Sequence, residues 1–328
     1  LVQVTFTHGM FQCGARMTYA THPSRAVASW FSGFSIPTFG GLNQYGEPVA
    51  DITPEINATG CGGRYDMDGV DAAGAFFATM ADCSDAEATE SDRPFIYTFR
   101  NYFDNSYGHG KYRGGAGVGY GVAVHDTNFF MLGSHGGGAK FPTTQGLFGG
   151  YGLPALFVRR VQNSNYKELL SKSDRHLPAR LTEVFTDQNP EKGDVWHQNI
   201  SAVVKPAKDG DTFYAYAGGG AGFGDPLERE PESIIRDLRN GMVSAWAARN
   251  IYCIAFEALS LRLDKEATEL RRKAVREERK RRGKKWADFN KEWEAKRPPS
   301  EILTYYGVYP DPGTKAHGTD AAPVAASA

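Results

Sequence analysis

Five of the seven positions from 218 to 224 are glycine, in "YAGGGAGFGDPLERE" (216–230), and the run passes directly into Asp225 and Pro226. Backbone without Cβ atoms can lie against other backbone, or adopt positive φ, where larger residues cannot. Similar bunching recurs in "GKYRGGAGV" (110–118) and "HGGGAKFPTTQGLFGGYG" (135–152). Glycine makes up 38 of 328 residues, roughly 12% against a usual value of about 7%. Such a chain suits short strands, tight turns and close backbone contacts better than a helical bundle.

Glycine clusters ahead of a helix also cradle phosphates, so that reading has to be weighed. A Walker loop needs GxxxxGK[ST], and the sequence contains none. A dinucleotide fingerprint needs GxGxxG. Gly220 and Gly222 fit its first two positions, but the third falls on Asp225, followed by Pro226. A carboxylate there would repel phosphate. Gly114, Gly115, Gly220, Gly222, Gly224 and Asp225 are therefore expected to form a packing and turn element.

The remaining patterns predict an α+β fold, with a β-rich core of short strands and long glycine-rich loops followed by C-terminal helices. "VQVTFT" alternates as a strand, and "SRAVASWFSGF" has the four-residue recurrence of a short helix. Strands are predicted at 95–100, 119–125 and 128–132, with "HDTN" as a hairpin turn between the last two. "SAVVKPAKDGDTFYAY" carries an Asp-Gly turn between two more strand-like runs. Helices are predicted over 230–240, from Ser244, and over 264–282, with "NIYCIAFE" returning to strand. Three regions are expected: a glycine-rich core with helices over 1–260, a charged helical extension over 261–312, and a flexible tail over 313–328.

Net charge is −1, yet residues 262–285 hold twelve Lys/Arg against five Asp/Glu, leaving the rest of the chain near −8. Four glutamates interrupt the basic run, and its aromatics (Trp286, Phe289, Trp293) come only afterwards, at helical spacing. A solvated helix packed along a neighbouring subunit is expected rather than a nucleic-acid contact. Cys13, Cys61, Cys83 and Cys253 show no CxxC pair, so reduced thiols in a cytoplasmic protein are expected. No apolar run approaches the roughly 18 residues of a membrane helix.

The stretch "GGGAGFGDPLEREPESIIRDLRNGMVSAWAARNIY" resembles the C-terminal signature of the hydantoinase B/oxoprolinase family, and "GKYRGGAGV" resembles that family's Arg-Tyr-Arg-Gly-Gly element. The landmarks fall in family order over residues 4–255, which correspond to the C-terminal half of a member. The region matching the family's His-Thr-His and Met-Thr-Asn-Thr run reads "AFFATMADCSDAEATE", keeping Met80 but neither histidine. That loss and the long C-terminal extension are similar to the large subunits of acetone and acetophenone carboxylases. The resemblance implies an ATP-dependent carboxylation of a ketone with bicarbonate by a hetero-oligomer. It implies a hydantoinase A-type subunit that handles ATP, a small zinc-containing subunit, the missing N-terminal half, and a divalent metal (Mn or Zn) that this chain does not bind by itself. An ATP-dependent cyclic amidohydrolase (hydantoinase, 5-oxoprolinase or lactamase) and a non-catalytic scaffold are the alternatives.

Candidate catalytic residues are His22, at a predicted helix start; Asp66 and Asp68, which share a side if "RYDMDG" is extended; and Arg113, whose guanidinium suits a carboxylate or phosphate. His135 and Lys140 flank "GGG" and are candidates for substrate or anion binding. Each has a structural reading beside the functional one: capping for His22, turn formation for the aspartates, ion pairing for Arg113. Cys61 and Cys83 carry no nucleophile signature.

Overall fold

The computed structural model describes residues 28, 36–53, 55, 58–74, 83–135, 144–153, 158–197 and 202–297. The first predicted strand and helix, His22 and Lys140 lie outside them, as does the expected tail. The chain divides into two compact units, Leu1–Val275 and Arg276–Ala328.

The first unit is built on two antiparallel sheets. One has strands β1 (Ile36–Leu42), β2 (Pro48–Ile52), β5 (Phe130–His135) and β8 (Ala202–Ala207) in the order β2-β1-β5-β8. The other has β3 (Phe95–Asn101), β4 (Gly119–Val124), β6 (Val158–Gln162), β7 (Asp194–His197) and β9 (Thr212–Tyr216) in the order β3-β4-β9-β6-β7.

Side-chain alternation explains how the sheets associate. On β9, Phe213 and Ala215 enter a core with Phe95, Tyr120, Val122, Val124 and Val158 of the same sheet and with Phe39, Phe130, Leu132 and Ala207 of the other. Tyr214 and Tyr216 point the opposite way, into a second cluster with Phe99, Val161, Leu181 and Val184, the last two from a 3-10 turn at Leu181–Phe185. Both faces of β4 and β9 are consequently buried. At about 1.5–3 kcal/mol for each large apolar side chain removed from water, these two clusters are the main source of the sandwich's stability. Arg160 of β6 spans the interior, donating to the carbonyls of Leu132 (3.0 Å), Lys205 (3.1 Å) and Pro206, with Asp211 3.8 Å away.

The predicted hairpin at "HDTN" does not form. Strand β4 pairs with β3 and β9, whereas β5 pairs with β1 and β8. Residues 125–129 therefore cross from one sheet to the other, and Thr127 Oγ1 fastens the corner by donating to the Leu42 carbonyl at 2.7 Å. The Asp-Gly turn between β8 and β9 is a second such crossing. Local turn chemistry gives the reversal, while the demand for two buried faces selects the partner.

The helices are α1 (Ala86–Asp92), α2 (Tyr166–Ser171), α3 (Pro231–Arg239), α4 (Ala245–Asn250), α5 (Lys265–Arg282) and α6 (Trp286–Ala295). Ser244 caps α4 by accepting from Ala247 N at 3.1 Å. Helices α3 and α4 bury Ile234, Ile235, Ala247 and Ala248 in a third core with Tyr107, Tyr252 and Ile254. The segment predicted to return to strand after α4 yields only β10 (Ala255–Phe256), paired with β11 (Leu263–Asp264). Residues 251–254 instead form the turn that closes the C-terminal end of α4, with Tyr252 N donating to Ala247 O at 3.2 Å. Among the described residues no helix is long and apolar enough to cross a membrane.

Candidate functional site

Four glycine-bearing segments, 60–70, 108–117, 146–152 and 218–224, lie against one another backbone to backbone. Gly60 N donates to Gly218 O (2.9 Å), Gly115 N to Cys61 O (2.6 Å) and Gly108 N to Gly220 O (2.7 Å). A Cβ on Gly114 would collide with the Gly220 carbonyl, and one on Gly220 with the Cys61 carbonyl, both far inside 3.0 Å. Gly115 abuts Val70 O and Gly222 abuts His109 O in the same fashion. Gly224 has φ +76°, after which Asp225 accepts from Leu227 N at 2.9 Å and opens the 3-10 turn Pro226–Glu228.

The amides of Gly220, Gly222 and Gly224 donate to the carbonyls of Gly115 (2.8 Å), Tyr151 (2.9 Å) and Leu147 (2.8 Å). A phosphate would find none of these three donors available. The cluster's chemistry is backbone-to-backbone ligation of four chain segments.

Buried charge lies on this layer. Arg229, the arginine of "GDPLER", is 3% exposed and grips Asp68 with both terminal nitrogens, at 2.6 and 2.8 Å. Its Nη2 also donates to Asp237 Oδ2 at 2.9 Å. Arg113 forms the parallel arrangement with Asp71 (2.7 and 3.1 Å), donates to Gly114 O (2.9 Å), and brings Nε to 3.3 Å from Asp237. Asp68 Oδ1 accepts from Arg113 N at 2.8 Å, and Asp71 Oδ1 from Ala116 N at 2.7 Å. Two guanidinium groups and three carboxylates thus bind residues 68–71, 113–116 and 229–237 into one network.

The arginines set the network's protonation. Burial alone would raise the Asp68 carboxyl, but hydrogen bonds and charge from Arg229, then the charge of Arg113, hold it below the usual range. Burial would likewise weaken both guanidinium groups, and their aspartates more than reverse that, keeping each firmly protonated. Tyr107 lies beneath Arg113, whose Cζ is 4.6 Å from the ring centroid. Beside it His109 Nδ1 and the Tyr252 hydroxyl share a 3.0 Å hydrogen bond. Burial, assisted by the charge of Arg229, pushes the His109 imidazole down to about 4. It is neutral at ordinary pH.

The candidate residues thus part company. Asp68 and Arg113 meet in this network. The chain over 64–68 is a turn rather than extended, with Arg64 N donating to Met67 O at 2.9 Å, so Asp66 points away into solvent. His135 ends β5, its backbone paired with Ile36 and Ala202. Arg113 has both terminal nitrogens committed, and an oxyanion would have to displace Asp71. Asp71, His109, Arg229, Asp237 and Tyr252 were not singled out from sequence. For Asp237 a signal existed: it is an acidic residue three positions from Ile234, within the apolar stripe of α3.

Among the described residues no group of three His, Cys, Asp or Glu is arranged to hold a metal ion. The three network aspartates are already held by arginines. With their carboxylates and guanidinium groups paired to one another, the side chains of this network fit neither a divalent ion nor a nucleotide phosphate.

An antiparallel sandwich, locked by glycine layers and completed by a buried Arg–Asp network, defines the class of protein. The chain belongs to the hydantoinase B/oxoprolinase family, whose model matches residues 2–226. It is 32% identical, over 91% of its length, to the acetophenone carboxylase delta subunit of Aromatoleum aromaticum, and covers 44% of that protein. It is also 32% identical, over 69% of its length, to the acetone carboxylase alpha subunit of Xanthobacter autotrophicus, covering 29% of it. A nucleotide-free structure of acetone carboxylase superposes on 90% of this chain with TM-score 0.71 at 23% identity, 40% of that chain being covered. This chain therefore spans less than half the length of these relatives.

Proposed function

We propose that this chain is part of a subunit of an ATP-dependent ketone carboxylase of the acetone or acetophenone type, working inside a hetero-oligomer. The observation that carries the reading is the match to the acetophenone carboxylase delta subunit. At 91% of the chain it necessarily runs beyond residue 226, where the family model ends. The likeness therefore includes C-terminal sequence beyond the stretch that the family model covers. In this reading the glycine layer and its Arg–Asp network form a rigid wall of the subunit. Arg113 and Asp68 act as positioning residues, and ATP and the divalent metal are held elsewhere in the assembly, ATP by a hydantoinase A-type subunit.

The wall's contribution to carboxylation is preorganisation. A site that stabilises an enolate and an activated carboxyl group needs fixed dipoles and charges at the reacting atoms, and a closed ion-pair network on interlocked backbone supplies that rigidity. The family's name points to the second reading, ATP-dependent opening of a cyclic amide. The test is an assay of the purified whole complex. ATP- and bicarbonate-dependent consumption of acetone or acetophenone supports the carboxylase; ATP-dependent opening of hydantoin, 5-oxoproline or a lactam, without ketone consumption, replaces it with the amidohydrolase. Arg113→Ala and Asp68→Ala in the intact complex address the third reading: unchanged turnover would make this network scaffold only.

A further inference from the structure

The second unit carries an exposed combination of charge and aromatic surface. Residues 276–285 hold seven Lys/Arg and two Glu, an excess of five positive charges. Immediately after them α6 presents Trp286, Phe289 and Trp293 at 73%, 43% and 60% exposure, and no residue of that helix is buried. The rings form a continuous ladder, with centroids 5.9 Å apart between Trp286 and Phe289 and 6.0 Å between Phe289 and Trp293, the latter pair stacked. Lys284 holds both oxygens of Glu292 at 2.6 Å, tying the basic stretch to the helix. Exposed tryptophans beside arginines have the composition of interface hot spots.

The first unit carries the opposite surface. Strand β2 is the outermost strand of its sheet, and α1 lies beside the β1–β2 turn, where Gln44 donates to the Glu90 and Ser91 carbonyls at 3.0 and 2.8 Å. Glu47, Asp51, Asp85, Glu87, Glu90 and Asp92 crowd this edge; Arg93, paired with Asp51, and Arg100, which donates to Ser84 O at 2.7 Å and pairs with the buried Glu55, are cations beside them. With Glu55 included, seven carboxylates against two guanidinium groups leave an excess of five negative charges. Tyr45 (68% exposed) and Ile52 (39%) supply apolar surface on the same edge.

We propose that the basic aromatic arm, 276–297, docks on the acidic β2–α1 edge of a second copy of this chain. The charges are opposite in sign and similar in size, and both surfaces expose apolar side chains that can meet: Trp286, Phe289 and Trp293 on the arm, Tyr45 and Ile52 on the edge. A copy meeting a copy can engage two such contacts related by a twofold axis. The proposal stands independently of the reaction the family member performs.

Analytical ultracentrifugation of the full chain tests it. A dimer is expected at roughly 50 mM salt, dissociating toward roughly 500 mM as screening shortens the reach of the charges. Arg281→Glu/Arg282→Glu/Lys285→Glu and, separately, Glu47→Lys/Glu87→Lys/Asp92→Lys each yield monomers. Mixing the two variants restores a dimer, because arm and edge become complementary again between chains. Trp293→Ala weakens self-association by about tenfold or more while leaving the charges unchanged. A wild-type monomer at low salt, dimers that survive both charge reversals, reversed variants that fail to dimerise when mixed, or an arm that binds single-stranded nucleic acid in preference to the acidic edge would each overturn the proposal.

Discussion

Arg229 meets Asp68 across 161 residues of chain, through two hydrogen bonds of 2.6 and 2.8 Å. Arg229→Ala would leave Asp68, Asp71 and Asp237 with Arg113 alone, so uncompensated charge would remain buried. A loss of about 3–5 kcal/mol is expected. Arg229→Lys keeps the charge but not the fork, and falls between wild type and alanine. Asp66→Asn, two positions from the network yet solvent-exposed, stays within about 0.5 kcal/mol of wild type. Urea unfolding of the three variants checks the order; equal stability of Arg229→Ala and wild type would remove the network from the stability account.

His109 makes the fold sensitive to mild acid. Its imidazole titrates at about 4 in the folded chain against 6.5 when free. Between those values the unfolded chain binds the extra proton, so stability is fully present above pH 6.5 and falls as pH drops toward 4. The gap corresponds to about 3 kcal/mol. Asp68, with its carboxyl held low, also loses stability on acidification, but below the His109 window. Denaturant midpoints at pH 7 and pH 4.5 should separate more for wild type than for His109→Gln. Identical separations would show that the histidine stays protonated on folding.

The glycine clusters advertise close packing in the sequence, but not the identity of the surfaces brought together. Gly114 and Gly220 lie in separate motifs, and only the tertiary fold opposes them. Alternation located β3, β4 and β9, because a strand's two faces are written in its own residues. It failed at His125–Phe129, where turn residues are indifferent to which sheet follows and the free edges beside β1 and β8 capture β5. Arg229 stood in plain view inside "GDPLER"; its burial depends on Asp68 and Asp237, which no local pattern connects to it. The early short helices α1 and α2, one turn or two each, carry too little periodicity to be found.

Gly220→Ala tests the layered backbone directly. The new methyl would strike the Cys61 carbonyl, backbone that cannot move without disturbing the Gly115–Cys61 hydrogen bond. Overpacking of this kind costs about 1–3 kcal/mol, and more where the obstacle is fixed. At Gly40 the same methyl would meet Ala50 Cβ at 3.6 Å, ordinary contact, so Gly40→Ala should be nearly neutral. Thermal unfolding of the pair decides, and similar melting temperatures would contradict the claim that backbone contact demands glycine at 220.

Burial gives the thiols different reactivities. Cys61 sits within the glycine layer, and desolvation pushes its thiol up to about 12. The thiolate is the nucleophile, so at pH 8 Cys61 presents almost none and is also shielded by the packed segments. Cys83, half-exposed just ahead of α1, is the more accessible of the two. Brief iodoacetamide treatment followed by peptide mass spectrometry should therefore modify Cys83 well before Cys61. Partial denaturation that opens the layer should bring Cys61 into reaction together with loss of the Arg229-dependent stability. Rapid native labelling of Cys61 would mean that segments 60–70 and 218–224 separate in solution, and the wall described here would then be a closed state among others.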